Sequence, residues 1–165
     1  MNKKGQAAME FLMTYGWAIL VVIAAIAALA YFGVLDPARL LPERCQFPAG
    51  MDCIDKASIT TTSLTMALRN NLGFPATISN ATGTVGKGCD GQESVAVGAA
   101  NTTFVDLSGG YTAYVANNEV YKVRITCSGL QVGDKFDDDK ITVTYTNSES
   151  GLTNNAVGSV RGRVA

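Results

Sequence analysis

Two periodicities divide this chain. From Phe11 to Leu35 there is no charged residue, and from Ala18 to Leu35 every face of a helix would be apolar. A segment apolar all round is not the surface helix of a soluble domain; it belongs among lipid tails or other apolar helices. It also exceeds the roughly 20 residues that cross a bilayer. Asp36-Pro37 interrupts it, because proline disfavours helical geometry in the residue before it. Asp36 can equally cap a further short turn with Pro37 at its first position. Either way, Asp36 to Arg44 reads as a joint.

From Ser58 the period changes to two. Tyr121, Val123, Ile125 and Cys127 alternate with Lys122, Arg124 and Thr126, and Ile141, Val143 and Tyr145 alternate with Thr142, Thr144 and Thr146. Such alternation predicts half-buried strands. Weaker strands are predicted at 59–68, 74–78, 94–97, 102–107 and 156–164. Between them lie turn-rich pieces: Gly86-Lys87-Gly88-Cys89-Asp90-Gly91, Ser108-Gly109-Gly110 and Asn117-Asn118. The fold class is therefore α+β: a long N-terminal hydrophobic helix followed by an all-β head, a sandwich or small barrel. The only tryptophan, Trp17, falls in the helix, so the Cys and Trp spacing of an antibody domain is missing.

Of 165 residues, a helix of about 35 leaves roughly 120, the size of one small domain. With 13 Lys and Arg against 14 Asp and Glu, and the basic residues scattered, nucleic acid is not an expected partner. All four cysteines (Cys45, Cys53, Cys89 and Cys127) follow the apolar run, which predicts two disulfides in an oxidising compartment. Three connectivities are open. Pairing Cys45 with Cys53 closes a short loop over Pro48-Ala49-Gly50, and Cys89 with Cys127 then ties a turn to a strand. Lys3 and Lys4 precede the apolar run and Asp36 follows it, which places the N-terminus in the cytoplasm and the bulk outside. A permanent signal anchor holding an external domain accounts equally well for this much.

Three details of the helix go further. Ala24, Ala25, Ala27, Ala28, Ala30 and Gly33 are small, and small residues let helix backbones approach closely. Glu10 stands at the edge of the apolar run, where an unpaired carboxylate removed from water is costly; it is either an acid at a wet interface or a group awaiting a cation. Finally, Lys3-Lys4-Gly5-Gln6-Ala7-Ala8-Met9-Glu10 precedes the apolar segment, whereas an ordinary signal peptide is cut after it.

That N-terminus resembles the class III signal of archaeal type IV pilins and the related archaellins, over Lys3 to Leu35. It departs from the bacterial form in reading Gln-Ala-Ala-Met-Glu after the glycine. The resemblance implies cleavage between Gly5 and Gln6, giving a leader of residues 1–5, an assembly helix and joint over 6–44, and a head over 45–165 that is an immunoglobulin-like sandwich. It also implies an extracellular helical homopolymer, membrane-inserted before assembly, with Glu10 meeting the new amine of Gln6 in its own or a neighbouring subunit. Ala24, Ala27, Ala28 and Gly33 would pack subunit against subunit. The implied partners are identical subunits, a prepilin peptidase, an assembly ATPase and a membrane platform protein. Surface adhesion is the expected role, with a rotating archaellin or an anchored binding module as rivals.

Catalytic chemistry is thinly provided. The chain has no histidine, which removes Ser-His and Cys-His nucleophilic sites, and its cysteines lack the Cys-x-x-Cys spacing of zinc or redox sites. No enzyme activity, metal or cofactor is expected. Asp137-Asp138-Asp139 lacks the spaced acids, glycine and terminal glutamate of an EF-hand loop, and is expected to be a solvated turn. Asn80-Ala81-Thr82 and Asn101-Thr102-Thr103 have the form of N-glycosylation acceptors.

Overall fold

The computed structural model describes residues 3–32 and 42–165. The chain divides into two compact units between Leu41 and Pro42. Among the described residues the first unit is the helix α1 (Lys3–Tyr31), 29 residues long; of the expected joint, residues 36–41 lie outside the described residues. The last turn of α1 is carried on by the Phe32 amide, which donates to the Ala28 carbonyl at 3.0 Å. Within it Met13–Tyr31 is 19 residues long and apolar enough to cross a membrane; at 1.5 Å per residue it reaches about 28 Å, close to a bilayer's hydrocarbon thickness.

The second unit is all β. In chain order its strands are β1 (Arg44–Gln46), β2 (Met51–Cys53), β3 (Ser58–Ile59), β4 (Ser63–Asn70), β5 (Ala76–Thr82), β6 (Glu93–Val97), β7 (Val105–Asp106), β8 (Ala113–Val115), β9 (Val120–Thr126), β10 (Lys135–Asn147) and β11 (Thr153–Arg163). They form two antiparallel sheets, ordered β1-β11-β10-β5-β8 and β2-β4-β9-β6-β7, with β3 also on β4. Period-two alternation dictates what lies between the sheets. Leu64, Met66 and Leu68 of β4 stand opposite Ile125, Val123 and Tyr121 of β9, so all six share one face. They meet Ile78, Phe136, Ile141, Val143 and Val160 of the other sheet in a single buried core. The result is an α+β chain whose head is a two-layer sandwich.

One expectation is overturned. Asp137-Asp138-Asp139 is not a solvated turn but part of β10, where Phe136 and Asp138 point inward and Asp137 and Asp139 outward. The alternation was hidden because the inward residue is an acid. Asp138 is fully buried. Its carboxylate accepts from the Thr84 amide at 2.7 Å, the Thr84 hydroxyl at 2.6 Å and the Lys140 amide at 3.0 Å. These bonds compensate for the lost water, as a buried carboxylate requires. Pairing with β11 runs from Asp138 opposite Val160 to Ile141 opposite Gly158. The additional residue on β10 is taken up by a bulge, which lets the acid and the apolar residues beyond it both face the core. Thr84 reaches Asp138 because Gly83 precedes it: a Cβ at Gly83 would lie 2.0 Å from the Cys89 carbonyl oxygen.

Tyr121, buried like Asn70, is a further side chain with a polar group and a measurable consequence. Its hydroxyl donates to the Met51 sulfur at 3.4 Å, and burial, with a smaller contribution from Tyr145, pushes its pKa well above the ordinary tyrosine range. Below about pH 10 the phenol is protonated folded and unfolded alike, and stability is independent of it. Above that, only the unfolded chain ionises, so stability falls by up to about 1.4 kcal/mol per pH unit until the folded phenol titrates too. Urea midpoints measured from about pH 8 to 11.5 should show this decline, flattened in Tyr121→Phe.

Candidate assembly surface on the apolar helix

Among the described side chains of α1 none is buried. Met9, Phe11, Met13, Trp17, Leu20, Ile23 and Tyr31 are each more than half exposed within their unit. At 3.6 residues per turn two features fall on opposite sides. Phe11, Tyr15, Ala18, Ile19, Val22 and Ile23 line one shallow groove, in which the rings of Phe11 and Tyr15 lie 4.8 Å apart. Ala24, Ala27 and Ala28, at i, i+3 and i+4, fall on the opposite side, all exposed. The alanines make a small-residue patch between Leu20 and Tyr31 on the same stripe, a shallow place where bulky groups of another helix can come close.

Glu10 lies on the alanine side, exposed, with its backbone carbonyl accepting from the Thr14 hydroxyl at 2.8 Å. Among the described residues no ion pair engages its carboxylate. Gly5 and Gln6 sit inside the first turns of α1, so the peptide bond between them is helical in this chain. Gly33 lies outside the described residues.

In the head, Cys45 is bonded to Cys53 and Cys89 to Cys127. Cys45 is on β1 and Cys53 on β2, so the first bridge joins the two sheets at an edge. The second ties the loop after β5 to the end of β9, beside a Ser128 amide to Gly88 carbonyl bond of 2.7 Å. For sequence separations of 8 and 38, the chain-entropy relation gives about 2.5 and about 4 kcal/mol. The paired serine variants, Cys45→Ser with Cys53→Ser and Cys89→Ser with Cys127→Ser, should rank in that order of loss in urea melts.

The two glycan acceptors differ in local setting. Asn80 is exposed on β5. Asn101 is exposed but occupied: its amide nitrogen donates to the Val97 carbonyl at 3.0 Å and its oxygen accepts from the Thr103 amide at 2.9 Å. Among the described residues, no three acids or cysteines gather closely enough to hold a metal ion. The groove of large side chains opposite the alanines is a candidate feature that sequence reading passed over, although helical spacing alone would have revealed it. No protein-family model matches this chain, and no curated protein matches it either, so its function rests on the geometry just described.

Proposed function

We propose that this chain is a structural subunit of an extracellular filament of the archaeal type IV pilin kind, stored in the membrane and polymerised through α1. The observation that carries this reading is the helix itself, apolar along the span Met13–Tyr31, with a groove of large side chains and, opposite it, an exposed patch of Ala24, Ala27 and Ala28 between Leu20 and Tyr31. Lipid is indifferent to such a patch, whereas a second helix is not, because dispersion contacts grow with close approach.

The mechanism is assembly. A peptidase cuts after Gly5, in a first turn that the glycine makes easy to open. The freed amine of Gln6 is one helical turn from Glu10, on the same side of α1, and the carboxylate pairs with this amine or a neighbour's, setting the register between subunits. The Gly5–Gln6 cut, the Glu10 pairing and the partner set of peptidase, ATPase and platform protein come from the resemblance. Helix-to-helix burial replaces lipid in the core, and the disulfide-braced heads form the outer wall. The strand neighbours β4-β9-β6 and β11-β10-β5 support the family likeness, since they match the B-E-D and G-F-C pairings of an immunoglobulin-like sandwich.

The test is electron microscopy of the native protein together with its intact mass. Filaments built of chains that start at Gln6 are the expected result. Monomers held in the membrane and still carrying Met1 would instead make the chain an anchored extracellular module.

A further inference from the structure

The sandwich protects its sheet edges unevenly. Unpaired edge strands present free N–H and C=O groups, and soluble domains blunt them with short strands, charges, prolines or bulges. Three edges here follow that rule. β2 has three residues and carries Asp52; β7 has two and includes Asp106; β8 has three. β11 does not. It is 11 residues long, and β1 covers only Ser159, Val160 and Arg161. Among the described residues, no strand pairs with Thr153–Val157 on the side away from β10.

This open stretch has none of the usual defences. Leu152 to Val160 reads Leu-Thr-Asn-Asn-Ala-Val-Gly-Ser-Val, with no charge and no proline. The bulge of the β10-β11 hairpin lies in its other half, and from Ile141 opposite Gly158 to Thr146 opposite Thr153 the register is unbroken. Side chains hold the edge in place: the Thr144 hydroxyl donates to the Asn155 oxygen at 2.9 Å, and the hydroxyls of Thr146 and Thr153 lie 3.0 Å apart. Val157 and Leu152 remain exposed there, at 51% and 66%.

We propose that Thr153–Val157 is a homotypic contact, at which β11 of one head adds antiparallel to β11 of another and joins their two sheets into one. The occupant is a second copy of this chain because the segment is compatible with itself. An antiparallel pairing about Asn155 sets Thr153 against Val157 twice over and brings no like charges together. Every second residue offers its N–H and C=O outward, so each copy supplies what the other lacks. Copies anchored by α1 in one membrane, or arrayed on neighbouring filaments, meet at high local concentration. The contact does not depend on the filament reading.

The test uses the full chain in detergent micelles, with a single cysteine placed at the edge or within the sheet. Under oxidation Asn155→Cys should give about tenfold more disulfide-linked dimer than Thr142→Cys, because only paired edges bring the two Cα atoms within bridging distance. Thr142 is on β10, paired on both sides. Without any substitution, amide exchange over Thr153–Val157 should slow as protein concentration rises. Equal dimer yields, or exchange independent of concentration, would overturn the contact. Filament formation is scored separately by microscopy: filaments without the Asn155 link sink only the edge contact, and the link without filaments sinks only the polymer reading.

Discussion

Replacing Asp138 by alanine should destabilise the head by about 3 kcal/mol or more, the largest effect expected of any single substitution away from the cysteines. The side chain is fully buried, and three donors converge on it: the Thr84 amide, the Thr84 hydroxyl and the Lys140 amide. Alanine leaves all three without an acceptor and opens a polar hole in the sheet. Asp138→Asn should lose roughly half as much, since one oxygen survives and the amide nitrogen faces a donor. Asp139→Ala, one residue along and exposed, should shift stability by no more than about 0.5 kcal/mol. Urea midpoints of the three variants give the comparison, and a small loss in Asp138→Ala would mean that water takes over the bonds.

Ala28→Leu should stop or sharply reduce polymerisation while leaving membrane insertion intact. Ala28 is exposed in the small-residue patch of α1 with Ala24 and Ala27, where another helix would lie close. Overpacking costs about 1 to 3 kcal/mol per contact, which raises the subunit concentration needed for growth by about 5- to 150-fold. Leucine at the same time favours insertion. Fractionation of cells into membrane-held precursor and sheared filaments reads the two effects apart. An unchanged filament yield would mean that no helix packs closely at position 28.

Much of this molecule was legible in one dimension. The helix was legible because a segment apolar on every face needs no partner to declare itself, and α1 covers the expected span as far as Tyr31. The strands at Tyr121–Cys127 and Ile141–Tyr145 were legible because alternation survives on paper, and β9 and the later half of β10 are found there. Of the candidate assembly surface, Glu10 and the alanines could be singled out from their types and spacing. Gly5 and Gln6 were readable only through a resemblance.

What the sequence alone determined is local: the apolar span, the alternating strands, the turns and an even set of cysteines. What only the tertiary structure decided is long-range. β1, β2 and β8 have three residues each, too few to show a period, and they exist because longer strands offer them an edge. The acid triplet looked solvated because charge favours water, until the Thr84 backbone and hydroxyl, 54 residues away in sequence, replaced that water. The uncovered length of β11 is likewise invisible in its own residues. It depends on where β1 stops, and a strand's periodicity specifies its faces but not the neighbours at its edges.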